Sequence, residues 1–403
     1  MLTTLLYRSH ISEDVPVKIL GGMVSRASQF NAEFDVTGIL LFNGTHFFQL
    51  LEGPEAGVLA AYERICADQK HYNLVELMRD YAPSRRFGNA GMELFDLREH
   101  EKSSLLQAVL DRGTSRYRLT YDDRALQFLR TFVEATEKEN YFEVPPSEQW
   151  QFLTDESDSQ LTLPDTRTAE PYSFAFQPVV DPLAREVVSV EARMRGAQDT
   201  PLRELFAPLT SQEMHALDLR AKAQAFAQAR RLGIEAMKLS VNLLPMALVE
   251  VPDAVDFLLR EIQANGLIPQ QITVEVTENE AISRTEDFEQ AIKQLKAAGI
   301  SLAIDNFGAG SAGLLLLTRV QPDRIKIDSN IIRDVHKSGP KQAVVQAILK
   351  CCSSLEIAVT AEGVEKAEEW MWLEAAGIST FQGPLFAAPV LHGITAVAWP
   401  EPR

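Results

Sequence analysis

In the second half of the chain, short apolar runs recur, and most of them stop at an acid or an amide. Leu302-Ala-Ile-Asp305 is the clearest case. It follows Gly299, which reads as a helix end, and it leads into a loop with glycines at 308, 310 and 313. Runs of the same kind cover 174–178, 187–191, 238–242, 272–275, 324–328, 358–362 and 380–382. Helical periodicity separates most of them, for example over 223–232, 255–265, 288–298, 341–353 and 368–376. Eight such strands alternating with helices predict a TIM-like (β/α)8 barrel rather than an open sheet. The first two runs have no helix between them, so the ring is expected to be irregular at its start.

The residues that close these runs are Glu191, Asn242, Glu275, Asp305, Asp328, Glu362 and Gln382, and Lys326 lies inside its strand. Any one of them can be a helix cap or a surface charge. As a set they are expected to converge at one rim, where strand ends of such barrels carry chemistry. Carboxylates packed that closely repel one another, which raises their pKa values and opposes the fold. Divalent cations remove the conflict, and an all-oxygen set suits Mg²⁺ or Mn²⁺. Two such ions can activate a water and hold a phosphoryl group for in-line displacement. Lys326 can orient that water or stabilise developing charge.

This pattern resembles the EAL-domain cyclic-di-GMP phosphodiesterases over residues 174–392. The matching stretches are Gln177-Pro178, Glu191-Ala192, Val241-Asn242, Glu275-Val-Thr-Glu278, Asp305, Phe307-Gly308, Lys326-Ile-Asp328, Glu362-Gly-Val-Glu365 and Gln382-Gly383. The resemblance implies that Glu191, Asn242, Glu275, Asp305, Asn306 and Glu362 bind two Mg²⁺ or Mn²⁺ ions. It implies that Lys326, with Glu191, Asp305 and Glu362, carries catalysis. Gln177, Arg195 and Gln382 would then meet cyclic di-GMP, and Glu278 would brace the loop after Asp305, which reaches the partner of a homodimer. The sequence departs from the family at three places. Arg193 stands third in Glu191-Ala192-Arg193, a change expected to be tolerated because that position carries no ligand. Asn306 follows Asp305 where the family pairs two aspartates, so metal should bind more weakly. The loop 310–314 lacks the usual aromatic residue.

The first hundred residues have a different grammar. Strands are expected at 3–8, 37–42, 46–51, 74–81 and 87–97, and helices at 15–31 and 55–67. Asn43-Gly44 between two strands is a strong hairpin signal. The order βαββαββ predicts an α+β sandwich of one sheet and two helices. Tyr7, Asn31 and Gln49 are polar residues in apolar surroundings. Left alone in a core, each would cost about 1–3 kcal/mol. They either bond to backbone and one another or face a polar ligand between the helices.

Residues 3 to about 92 resemble a BLUF domain, a flavin-binding blue-light sensor, through Tyr7 in LLYRS, Asn31, Thr37-Gly38, Gln49 in FFQLLEG and Met92. The resemblance implies a ferredoxin-like α+β domain with FAD held between its helices. Tyr7 and Gln49 would form the light-responsive relay, Asn31 would hold the pyrimidine edge, and Met92 would sense the switch. Tyr donates a proton and Gln exchanges donor for acceptor, so the residue types suit the task. Where many of these domains have a tryptophan two residues before the methionine, this chain has Ala90.

Between the modules, helical periodicity over 102–111 and 124–137 predicts capping helices, the second with the stripe Phe128, Leu129, Phe132 and Val133. From Pro145 the sequence turns polar, acidic and proline-bearing, as expected of a linker anchored by Trp150 and Phe152. The expected domains are therefore 1–98, 99–170 and 171–403. The net charge of -17 argues against nucleic-acid and anionic-membrane binding. The three cysteines show no disulfide or metal-ligand spacing, no run is long enough to span a membrane, and the N-terminus lacks a signal-peptide pattern, so a cytoplasmic location is expected. The functional expectation is a blue-light-regulated cyclic-di-GMP phosphodiesterase yielding linear pGpG. The alternative is a weak or inactive barrel that acts as a light-switched, protein-binding antagonist of a transcription regulator.

Overall fold

The computed structural model describes residues 2–12, 15–16, 20–82, 85–87, 91–99, 104, 107–108, 111, 123–134, 144–154, 161–162, 170–196, 200–234, 237–277, 284–310 and 313–403. Glu278, Ala90, most of the expected helix at 102–111 and most of the acidic linker lie outside these residues. The chain divides into two compact units. One comprises Met1–Val144 with Asp334–Ala343, the other Pro145–Arg333 with Val344–Arg403.

The first unit is built on a five-stranded sheet. Its strands are β1 (Leu2–Ile11), β2 (Thr37–Phe42), β3 (His46–Gly53), β4 (His71–Ala82) and β5 (Glu93–Asp96), in the order β4-β1-β3-β2-β5. β2 and β3 form the hairpin around Asn43-Gly44, with Phe42 opposite Phe47. The last strand is shorter than its sequence suggests: only four residues pair with β2, in parallel.

Alternation along β3 decides what each face buries, because successive side chains point to opposite sides of a strand. Phe47 and Leu51 join the core shared with α1 (Leu20–Glu33) and α2 (Glu55–Cys66), and Gln49 falls on the same face. Phe48 and Leu50 join the opposite core, which α3 (Arg124–Glu134) covers with Ala125, Leu126, Leu129, Phe132 and Val133. Both faces are therefore covered, and β3 is buried along its whole length. Asp123 accepts from the backbone amides of Ala125 and Leu126 and so caps α3, a contribution of about 1 kcal/mol.

The second unit is a closed eight-stranded barrel. Its strands are β7 (Tyr172–Asp181), β8 (Glu186–Gly196), β9 (Leu239–Asn242), β10 (Ile272–Thr277), β11 (Ser301–Phe307), β12 (Arg324–Ile327), β13 (Ala358–Glu362) and β14 (Thr380–Gln382). From β8 to β14 all neighbours are parallel. β7 runs against both its neighbours, and the ring closes through one pair, Phe381 with Val180. The irregular start follows from the sequence: a turn of a few residues, with Arg185 at φ 54°, can join only antiparallel strands. Helices α4 (Ser211–Arg231), α5 (Ala254–Ala264), α6 (Thr285–Ala297), α7 (Gly313–Val320), α8 (Gly339–Ser354) and α9 (Ala367–Ala375) lie between the later strands in sequence.

The stretch expected as a linker contributes β6 (Trp150–Thr154), which pairs antiparallel with a C-terminal strand, β15 (Ala398–Pro402). Trp150 and Phe152 both stack edge-on against the Trp370 ring, at 5.2 and 5.7 Å.

Candidate functional site

In the first unit, β1 and β3 place Tyr7 directly opposite Gln49. The Tyr7 hydroxyl donates to the Gln49 side-chain carbonyl, and the Gln49 amide donates to the Met92 thioether at 3.3 Å. Gly38 on β2 makes this geometry possible. A Cβ there would lie 3.1 Å from the methyl and 3.3 Å from the sulfur of Met92. Burial pushes the Tyr7 phenol well above its usual pKa, so it stays protonated as the donor.

Gln49, Met92 and Asn31 line a cleft of about 170 Å³ between α1 and α2. Its walls are apolar (Leu20, Met23, Phe30, Leu40, Phe47), and Arg26, Arg64 and Lys70 add positive charge to its lining. A flat heteroaromatic ligand bearing phosphates fits that chemistry. Asn31 already donates to the carbonyl of Gly91 at 2.8 Å, which ties α1 to the segment carrying Met92.

In the barrel, the mouth has a volume of about 720 Å³ and is lined by Glu191, Arg193, Arg195, Asn242, Glu275, Asp305 and Asn306, among others. Lys326 lies at its floor, 1 % exposed, 2.7 Å from Glu191, 2.9 Å from Glu275, 3.8 Å from Asp305 and 3.9 Å from Glu362. Asn242 and Gln382 donate to Glu191 at 2.6 and 2.8 Å. Four carboxylates from four strands therefore surround one ammonium group.

Electrostatics separate the four acids. Burial opposes ionisation of Glu191 and Glu362, but Lys326 and Arg193 outweigh it and hold both below the usual carboxylate range. Burial raises Glu275. Burial, against the pull of Lys326 and with help from the neighbouring acids, pushes Asp305 up to about 8.

Not every candidate joins the cluster. Asp328 accepts from the backbone of Asn330 and caps the short helix that follows, the bland role available to any strand-end acid. Gln177 is buried and donates to the carbonyl of Ala387. Asn306 sits at φ 53° and donates to Asp305 at 3.2 Å.

Arg193 corrects the sequence reading. Glu191 is not the end of its strand, because β8 continues to Gly196. Residues 191, 193 and 195 thus share one face of β8 and line the mouth together. The Arg193 guanidinium contacts Glu191 at 3.1 Å and also donates to Glu362. A position expected to stay clear of the ligand set therefore reaches into it. The signal was present in the sequence, as period-two spacing from Glu191.

The oxygen-only donor set suits a hard cation. Two buried oxygens, Asp305 Oδ1 and Glu362 Oε2, have no hydrogen-bond partner among the described residues, which leaves room for one.

Residues 2–93 match the family model for sensors of blue-light using FAD, and residues 162–389 match the EAL domain model. The chain is a BLUF–EAL protein. Over 406 residues, spanning all of both chains, this BLUF–EAL protein is 58% identical to the blue light- and temperature-regulated antirepressor BluF of Escherichia coli strain K12. It superposes along its full length on the Klebsiella pneumoniae BlrP1 manganese and cyclic-di-GMP complex at pH 6, at a TM-score of 0.91 and 42% identity, covering all of that chain. A shorter match joins the BLUF–EAL chain to the cyclic di-GMP phosphodiesterase PdeR of E. coli K12. It is 40% identical over 119 residues, 30% of this chain and 18% of that one. No helix among the described residues is long and apolar enough to cross a membrane.

Proposed function

We propose that the chain is a blue-light-controlled regulator whose barrel acts by binding, as an antagonist of a transcription regulator, in a cytoplasmic homodimer. The carrying observation is the hydrogen-bonded line Tyr7–Gln49–Met92, whose last two members line the apolar and basic cleft between α1 and α2. FAD bound there would supply blue-light absorption and take an electron from its surroundings. Tyr7 holds the proton that moves. Gln49 can exchange its donating and accepting ends, and Met92, the partner of its amide, is the first group to feel that exchange. Asn31 holds the Met92 segment in place from α1.

Two observations support binding over turnover. Asn306 brings no charge to the acid cluster and spends its amide on Asp305. The full-length relative at 58% identity is named an antirepressor. In this reading the barrel mouth takes cyclic di-GMP as a ligand, with Arg195 on its wall.

Hydrolysis of cyclic di-GMP to pGpG is the second reading. The convergence of Lys326, Glu191, Glu275, Asp305 and Glu362 favours it. Mg²⁺ or Mn²⁺ held by Asp305, Glu362 and the Asn306 carbonyl would supply Lewis acidity at a phosphoryl oxygen. Lys326 would orient a water and stabilise developing negative charge.

Purified FAD-loaded protein decides between the two. Blue light should red-shift the flavin spectrum and change the retention of a regulator protein on the immobilised chain, with no pGpG formed in Mn²⁺ in dark or light. A static spectrum ends the sensor claim, and light-dependent pGpG turnover replaces the binding reading with the enzymatic one.

A further inference from the structure

The geometry points to Arg193 as a tethered cation that takes the place of one divalent ion in the barrel mouth, leaving room for at most one. The inference rests on reading this mouth as an EAL site and extends it to the number of ions.

The occupancy of the carboxylate oxygens argues for it. Glu191 Oε2 receives Lys326, Gln382 and Arg193, and Glu191 Oε1 receives Asn242. A carboxylate has about four lone-pair sites, so Glu191 has little left for a metal. Glu275 Oε2 is engaged by Lys326. Arg193 takes Glu362 Oε1 and so bridges acids from β8 and β13. Asp305 Oδ1 and Glu362 Oε2, both buried, accept no hydrogen bond among the described residues and lie 3.8 and 3.9 Å from the Lys326 ammonium. With the Asn306 carbonyl they suit a single small hard cation.

Charge balance gives the same number. With a bound cation holding all four acids ionised, Lys326 and Arg193 leave a formal excess of two negative charges, which one divalent ion cancels. Two ions would leave the pocket positive, and a buried excess of either sign is costly. With an apolar residue at 193 the excess rises to three, and a second ion becomes favourable. Arg193 reaches this position because β8 runs two residues beyond Glu191 with the same face inward. Its charge is delocalised and it binds carboxylates through a rigid fork, so it is well suited to a fixed counter-ion role.

Counting bound Mn²⁺ tests this without any activity assay. Free Mn²⁺ is followed by electron paramagnetic resonance as it is titrated into the full FAD-loaded chain. The wild-type chain should take up no more than one ion. R193L and R193M should take up a second, with affinity raised on the order of tenfold or more. R193K, which keeps the charge, should behave as wild type. Thermal melts and the flavin spectrum check that each variant is folded. If R193L and R193M do not fold, R193Q carries the same expectation with a polar side chain. Two ions on the wild-type chain, or an unchanged count in folded R193L, R193M or R193Q, overturns the assignment. Failure of the light response would show in the flavin spectrum and would leave these counts untouched.

Discussion

The side-chain amide of Gln49 points its nitrogen at the Met92 sulfur, 3.3 Å away. The bond is weak, and the opposite end of the same amide is held by Tyr7. Any rotation or rearrangement of Gln49 therefore changes what Met92 and Tyr7 meet together. Tyr7→Phe removes the only hydrogen that Tyr7 can give. We expect it to bind FAD with an unshifted dark spectrum and to lose the light-induced red shift. Met92→Leu should keep the shift and weaken the light dependence of partner binding. Difference spectra and retention assays on both variants check this, and a normal shift in Tyr7→Phe would remove Tyr7 from the relay.

Among the described residues, Lys326 is the one ammonium that four buried acids share. Lys326→Met keeps its bulk but takes from Glu275 the ammonium 2.9 Å away and leaves Glu191, now 2.7 Å from it, with Arg193 as its remaining cation. Breaking a buried pair from one side costs about 3–5 kcal/mol. The barrel should unfold at clearly lower urea concentration than wild type, and Mn²⁺ should recover part of the loss. An unchanged midpoint would mean that the acids are already neutral.

The pH dependence of the first unit should carry the signature of His10. Burial, then His46 with its ring centre 4.0 Å away, then Arg8, lower its pKa to about 3. Tyr72 stacks on it from β4 at 4.9 Å, and the nearby His71 is lowered by burial too. The ring is thus neutral in the fold while the unfolded chain binds a proton below about 6.5. Between those values the unfolded state holds more protons, so stability falls as pH drops from about 6.5 towards 3 and is unaffected above. Urea midpoints read by flavin fluorescence at pH 7 and pH 5 should differ, and His10→Phe should shrink the difference.

Phe132 stacks on Phe48 at 5.0 Å and is 2 % exposed. Phe132→Ala should lower the stability of the first unit by about 3–5 kcal/mol. Because α3 covers the face opposite the cleft, the flavin absorption spectrum of the folded variant should be unchanged. A spectrum altered as much as the stability would mean that the two faces are coupled through β3.

The sequence carried the succession of strands and helices in the first unit and the ring of the second because both rest on local signals: an Asn-Gly turn, period-two runs, and helices between strands. It carried Glu191, Glu275, Asp305, Glu362 and Lys326 as a set for the same reason. It missed what depends on where a strand stops. Glu191 reads as a strand end, because the apolar run ends there, yet pairing with β7 carries β8 five residues further. The role of Arg193 was hidden by that boundary. The pairing of β6 with β15 was out of reach as well, since about 250 residues separate them and no local pattern encodes such a partner. Asp328 shows the converse: its sequence position is equivalent to that of the others, and its own downstream neighbour Asn330 claims it with backbone and side-chain amide alike.

The barrel's seam gives its polar cluster a second importance. The ring is laced shut between β14 and β7 by a single residue pair, Phe381 with Val180. Gln382 and Glu362, on one side of that gap, reach Glu191 and Arg193 on the strand just beyond it. The chemistry-bearing residues are thus also the clasp of the cylinder. Drift among them is constrained by mechanical integrity even in a descendant that has no use for catalysis, so an intact acid ring is weak testimony that an enzyme of this shape still works.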